Sequence, residues 1–409
     1  MPKHDAPRLA ILGAGPIGLE AGLYAKKLNL PFTIYERGRI GEHLLRWGHV
    51  RLFSPFAMNA TTLGRAAVRS VKPGHEFPAD DACVSGREHV TSYLMPLAET
   101  LQGNIQNDSV VLKIGRRGLL KADVNDQRAK RPFRLLVRDK TRERIEEADV
   151  ILDCTGTYAQ HRWLGDGGIP AVGELQAEPQ IAYGLEDILG DRKMQYGNRT
   201  VLVVGAGYSA ATTVSNLAQI AEENQTTWVI WLARGSSSNP LRRIANDPLR
   251  ERDRLAVRAN NIATRNDANV EFHPGAMVES VEFLGADRGF RVTARTPEKS
   301  RSWDVDRVIG NVGYTPDTNL YRELQVHECY ASLGPMKLAA ALEGSKGLDC
   351  LKQTAQGPDT LRNPEPNFYV LGAKSYGRNS NFLMRIGFEQ VREVFTIITG
   401  DAKLDLYKK

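Results

Sequence analysis

The chain is poor in cysteine. Cys83, Cys154, Cys329 and Cys350 are the only four among 409 residues, and no two stand in a CxxC pair. Neither a redox dithiol nor a thiolate zinc site is therefore expected. Long apolar runs are also missing: none reaches the roughly 20 residues that cross a bilayer as a helix, so no membrane span is expected. The first apolar run begins within a dozen residues of Met1, from which no signal peptide and a cytoplasmic location are expected. Aromatic residues make up only 7% and the basic residues are scattered. The net charge of +6 is thus read as helping to hold anionic cofactors, and nucleic-acid binding is not expected. His43, His75, His89, His273 and His327 share no metal-ligand spacing, so no metal is expected, and solvent exposure or an ordinary hydrogen bond is their anticipated state.

What the chain does have is a pattern of glycines between apolar runs. Arg8–Arg37 reads RLAILGAGPIGLEAGLYAKKLNLPFTIYER: an apolar strand, Gly13-x-Gly15-x-x-Gly18, a helix, and a second strand ending in Glu36. Each glycine has its own task. Gly13 allows the tight turn, Gly15 lets backbone approach a pyrophosphate, and Gly18 lets helix and strand pack closely. Free N–H groups at the helix start favour the phosphates, and Glu36 is positioned to accept hydrogen bonds from the adenosine ribose.

The design recurs from Arg199. RTVLVVGAGYSAATTV…TTWVIWLAR gives strand, Gly205-x-Gly207-x-x-Ala210, helix and strand. Beyond it, VESVEF, GFRVTAR and RSWDVDRVIGNVGYTP mirror NDSVVLKI, FRLLVRD and ADVILDCTGTY, with Gly313 standing where the first copy has Gly156. A duplication of this size is more specific than either glycine motif. The copies differ where cofactor choice is made: the second strand ends in Glu36 in one and in Arg234, followed by Gly235 and three serines, in the other. A carboxylate repels a 2′-phosphate and a guanidinium binds one. The first copy should therefore take a dinucleotide with a free ribose, such as FAD, and the second NADP(H), with Arg242 and Arg243 as further phosphate candidates.

After Glu36, the segment from Gly41 to Ala67 lacks sustained periodicity and is expected to form loops and short helices over the cofactor's reactive end. Ser85 is a candidate N-cap for a helix stopping at Gly103, and the basic stretch from Arg116 to Arg134 reads as a solvated connection. Near the C-terminus, Phe368–Leu371 is expected as a strand, 372–381 as a loop and 382–399 as a helix, a third cofactor contact returning to the first domain.

The motifs GAGPIGLE…YER, DCTGTY, VVGAGYSA…WLAR, NVGYTPD and FYVLGA resemble, in order and over nearly the whole chain, the two-dinucleotide-binding-domain flavoproteins. With RLFSPFAMN…FPADDACVSGREHVTSYL, the likeness within that group is to flavin-containing monooxygenases. The resemblance implies an α/β fold of two Rossmann-like, three-layer ββα domains: an FAD domain over 1–165 and 317–409, an NADP(H) domain over 190–316 inserted into it, and a linker at 166–189. It implies FAD held by Gly13, Gly15, Gly18, Glu36, Arg37, Trp47, Gly156, Gly372, Ala373 and Asn381, and NADP(H) held by Gly205, Gly207, Ser209, Ala210 and Arg234. Arg51, His49, Ser54 and Asn59 are the candidates beside the flavin, with a structural role as the alternative for each; Arg51, Ser54 and Asn59 are carried as catalytic candidates. The chain departs from the family in lacking the FxGxxxHxxxF/W signature and in having Gly372-Ala373 where many relatives have Gly-Asp. The expected activity is hydride transfer from NADPH to FAD followed by oxygenation of a small substrate with O2 through a flavin C4a-peroxide. The alternatives are an NADPH-dependent reductase without a redox disulfide and a non-catalytic flavin-binding sensor. Oligomeric state is open, a homodimer included.

Overall fold

All four residues of β1 (Leu9–Leu12) are at most 2% exposed, as a central strand covered on both faces requires. Alternate side chains serve different layers. Leu9 and Ile11 join a cluster with the flanking helices, while Ala10 and Leu12 join one with Ile114, Phe133, Leu135 and Val137 of an antiparallel sheet. Each such Leu or Ile contributes roughly 1.5–3 kcal/mol on burial. Helix Pro16–Lys27 starts with Pro16 in its first turn, where a missing N–H costs nothing, and ends in Lys26 and Lys27, which complement the negative end of its dipole.

The computed structural model describes residues 6–123, 126–265, 269–343 and 350–408, divided into two units, Met1–Gln160 with Thr315–Lys409, and His161–Tyr314. In the first, β1 lies between β2 (Phe32–Tyr35) and β7 (Val150–Asp153) in a parallel sheet extended by β3 (Ile105–Gln106) and β16 (Phe368–Val370). Strands β4 (Val110–Arg116), β5 (Phe133–Arg138) and β6 (Glu143–Ala148) form the antiparallel layer. In the second unit, β9 (Thr200–Val204), β10 (Trp228–Ala233), β11 (Val270–Pro274) and β15 (Arg307–Gly310) form the parallel sheet with β8 (Ala182–Tyr183). Strands β12 (Met277–Gly285), β13 (Gly289–Arg295) and β14 (Ser300–Val305) are its antiparallel layer. The two parallel sheets correspond strand for strand: β16-β7-β1-β2-β3 against β8-β15-β9-β10-β11. The duplication read from the sequence is thus present in the topology.

That correspondence accounts for the segment 166–189, read from sequence as a linker. It folds within the second unit, where β8 pairs with β15 in the place that β16 takes beside β7. Its organising group is the fully buried Glu174, whose carboxylate accepts from the Leu164 N–H (2.8 Å), the Ala171 N–H (2.7 Å) and the Tyr183 hydroxyl. A two-residue strand and one buried acid leave no periodicity to detect.

The basic stretch after Arg116 is likewise not a purely solvated connection. Arg116 and Arg128 are 4% and 3% exposed. Both reach the buried Glu365, at 2.7 and 2.5 Å, and Arg116 stacks over the Phe133 ring at 3.4 Å. Removing one member of such a group strands a buried charge at a cost of about 3–5 kcal/mol. The helix after Ser85 forms as expected, with a capping box between Ser85 and Glu88. It continues through a π-helical turn, Val90–Leu94. The C-terminal segment differs slightly from expectation: Gly372–Tyr376 is a 3₁₀ turn and the last helix runs Met384–Thr399.

His89 corrects the expectation of exposure or an ordinary hydrogen bond. It is fully buried against Phe56 and Tyr93, and neither ring nitrogen has a partner among the described residues. Burial pushes it from its ordinary 6.5 down to about 4. Glu20, also fully buried, accepts a hydrogen bond from Thr61, and burial pushes it the other way, from 4.5 to about 7. A buried neutral imidazole gives stability that is whole above 6.5 and lost as pH falls towards 4. A buried neutral carboxyl gives stability that is whole below 4.5 and lost as pH rises through 7. Between pH 4.5 and 6.5 the two oppose each other. In urea unfolding, wild type should therefore lose about 2–3 kcal/mol relative to His89→Phe as pH falls from 6.5 to 4.5, at about 1.4 kcal/mol per unit. Parallel pH curves for the two proteins would contradict a neutral buried His89.

Candidate dinucleotide sites

The three glycines of the first turn fall into two kinds. Gly13 has φ +94°, and a Cβ there would lie 2.9 Å from the Cys154 carbonyl oxygen; a Cβ on Gly18 would lie 1.9 Å from the Gly13 oxygen. The chain's own packing demands those two. At Gly15, with φ −81° in extended backbone, a Cβ would meet nothing within 4 Å. The second turn repeats this: Gly205 (φ +139°) faces the Asn311 oxygen at 2.4 Å, and Gly207 faces open space. In each copy the middle glycine answers to no neighbour in the chain, as expected of a position kept small for a bound group. The residues present therefore fit a pyrophosphate at each turn.

At the end of β2, Glu36 is 8% exposed and braced across the turn. Its Oε2 accepts from the Ala14 N–H at 2.7 Å and its Oε1 from the Gly38 N–H at 2.8 Å. Lone pairs remain on both oxygens for further donors. At the matching end of β10, Arg234 is exposed, and its guanidinium has no hydrogen bond or ion pair among the described residues. Ser209 and Ala210 lie in the first turn of helix Tyr208–Glu223, with Ala210 fully buried. Arg242 is exposed, but Arg243 is engaged twice by Asp253, at 2.9 Å each.

Other sequence-derived residues of the first unit gather beside its turn. Arg37 bonds His43 at 3.2 Å, the His43 ring lies 5.8 Å from that of Tyr158, and the Trp47 ring 6.3 Å from it. A Cβ on Gly156 (φ +70°) would lie 3.6 Å from His43. Burial, then Arg37 and Arg46, push His43 down to about 4 and keep its ring neutral. Trp47 Nε1 and His49 Nε2 are buried with no partner among the described residues, which a bound polar group would relieve. His43 and Tyr158 were not among the sequence-derived site residues. Only their spacing to Trp47 and Gly156 in the fold marks them.

Arg51, Ser54 and Asn59 are placed differently. Arg51 is exposed and donates to the Cys83 carbonyl at 2.9 Å. Ser54 and Asn59 are buried and bond each other at 3.0 Å, and the Asn59 amide also donates to the Ser54 and Pro55 carbonyls. Gly372 (φ +70°) begins its 3₁₀ turn against Ile17, its N–H donating to Gln390, with Ala373 following; Asn381 is exposed. No motif in the sequence marks Lys374. It is 1% exposed and ion-paired to the fully buried Asp153 at 2.7 Å. Among the described residues no three His, Cys, Asp or Glu side chains group as metal ligands, and no helix is long and apolar enough to cross a membrane.

Residues 10–126 match the family described as pyridine nucleotide-disulphide oxidoreductase. No curated protein matches the chain. Among solved structures, a bacillithiol disulfide reductase from Bacillus cereus is similar at a TM-score of 0.68 and 16% identity, covering 97% of this chain and 99% of that one. An ornithine N-hydroxylase from Kutzneria sp. is similar at 0.64 and 16%, with the same coverage. The cadaverine monooxygenase of desferrioxamine biosynthesis from Erwinia amylovora is similar at 0.65 and 14%, covering 97% and 95%. The fold is that of the two-dinucleotide-binding-domain flavoproteins.

The two kinds of glycine should separate in stability measurements. Gly15→Ala is expected to leave the unfolding free energy within about 0.5 kcal/mol, as for a substitution that touches nothing, whereas Gly18→Ala, driven into backbone, should cost several times that. Equal losses in denaturant titrations would contradict the open cradle.

Proposed function

We propose that the chain is an NADPH-dependent flavoprotein oxidoreductase, with FAD at the Gly13–Gly18 turn and NADPH at the Gly205–Ala210 turn, that oxygenates a small substrate. The observation that carries this reading is the paired open cradle, at Gly15 beside an acid and at Gly207 beside an unengaged arginine. When bound, the flavin would supply hydride acceptance from the nicotinamide and the activation of oxygen. The protein's part is to bind and orient. Helix Pro16–Lys27 and helix Tyr208–Glu223 each present N–H groups and the positive end of a dipole to phosphate. Glu36, already braced by two N–H donors, would receive the ribose hydroxyls. Arg234 would hold the 2′-phosphate by charge-assisted hydrogen bonds. Trp47 Nε1 and His49 Nε2 would find partners in the bound flavin nucleotide.

A second reading, an NADPH-dependent reductase that passes electrons to a separate acceptor, is supported by the same two sites. It is favoured by one observation: Ser54 and Asn59 spend their donors within their own loop, leaving them unavailable to steady a charged oxygen species. The known structures of this fold include both a disulfide reductase and N-hydroxylating enzymes.

Arg234→Ala should raise KM for NADPH roughly tenfold or more and leave that for NADH nearly unchanged, since a charge-assisted hydrogen bond is worth about 1.5–3 kcal/mol. Equal effects on both coenzymes would remove the NADPH assignment. Stopped-flow mixing of photoreduced, flavin-loaded enzyme with oxygen separates the readings. A persistent absorbing species distinct from reduced and oxidised flavin supports oxygenation; immediate return to oxidised flavin supports the reductase.

A further inference from the structure

The first unit contains a buried ionic group for which the glycine turns have no need. Lys374 Nζ donates to Asp153 Oδ2 at 2.7 Å and to Thr155 Oγ1 at 3.0 Å. Asp153 Oδ1 in turn accepts from the Thr155 N–H at 3.1 Å and its hydroxyl at 2.7 Å. The Tyr321 ring lies 5.1 Å below the ammonium. Both charged side chains are shielded from water, at 1% and 0% exposure. Such a pair costs desolvation that its attraction does not reliably recover, so its presence calls for a role beyond stability.

Position supplies one. Asp153 ends β7, and Thr155-Gly156 is the turn that follows, with Gly156 at φ +70° beside His43. The preceding Cys154 carbonyl is the atom that closes off Gly13. Lys374 sits in the turn after β16, two residues past Gly372, which packs on Ile17 of helix Pro16–Lys27. The ammonium therefore joins two turns that reach the glycine cradle from separate strands. Thr155 has its N–H and hydroxyl both committed to Asp153, so the shape of the turn into Gly156 is set by where Lys374 holds that carboxylate.

Resting on the flavin reading of the first cradle, we propose that Lys374 is a positioning residue: through Asp153 it latches the Thr155–Gly156 turn in the shape that receives the flavin nucleotide. Its role is to restrict the turn before binding, so the loss should appear in affinity for the nucleotide more than in folding.

The test compares wild type, Lys374→Met and the paired variant Asp153→Leu/Lys374→Met. Each is stripped of flavin and titrated with FAD by fluorescence quenching; thermal unfolding and amide hydrogen exchange over residues 153–160 are followed in parallel. The paired variant removes both charges, so it should regain the thermal stability that Lys374→Met loses, yet bind FAD at least tenfold more weakly than wild type and exchange faster over 153–160. A paired variant that binds FAD as tightly as wild type would overturn the proposal and leave the ion pair a purely structural feature. If wild type itself takes up no FAD, the flavin reading falls, and the latch is decided by exchange alone: unchanged exchange over 153–160 in the paired variant overturns it.

Discussion

The structure depends on one steric constraint used twice: a backbone turn between a buried strand and a helix, closed so tightly that its first position admits no side chain. Gly13 is pinned beneath the Cys154 carbonyl as Gly205 is beneath that of Asn311. The closure brings the helix start over the strand end. Its free N–H groups then collect at one point with the positive end of the helix dipole. Each parallel sheet has the strand before that turn at its centre, and the ends of the neighbouring strands surround the turn. The middle glycine is left facing space in both copies, and this makes the turn a cradle as well as a fold element.

Within this shared frame, the two copies differ at the ends of their second strands. Glu36 is held by two backbone N–H donors, a rigid acceptor suited to hydroxyls and hostile to phosphate. Arg234 is exposed and has no hydrogen bond or ion pair among the described residues. Beside the first turn, the neutral His43, Tyr158 and the Trp47 nitrogen, which has no partner among the described residues, form a polar surround. The buried Lys374–Asp153 pair stands where neither sheet requires a charge.

Much of this was legible in the sequence, for identifiable reasons. Central strands covered on both faces read as continuous apolar runs, and glycines forced by a close carbonyl recur at fixed spacing, so both glycine turns, the duplication and the strand-end residues could be found. The segment 166–189 could not be placed, because β8 is two residues long and its anchor, Glu174, acts through three donors brought together only by folding. Arg116 and Arg128 looked like surface charge because their partner Glu365 lies some 240 residues along the chain, at sequence separations of 249 and 237. Ser54 and Asn59 show the converse: residue types suited to a reactive centre, five apart, that the fold turns towards each other.

Two copies of one turn should hold two different dinucleotides, each through its middle glycine. Equilibrium titration of the flavin-free protein with FAD and with NADPH, in Gly15→Val and Gly207→Val side by side, tests it most directly. A crossed result is expected, with Gly15→Val losing FAD and keeping NADPH, and Gly207→Val doing the reverse. If either substitution left both affinities unchanged, or if one abolished both while the protein stayed folded, the two turns would not be separate dinucleotide sites.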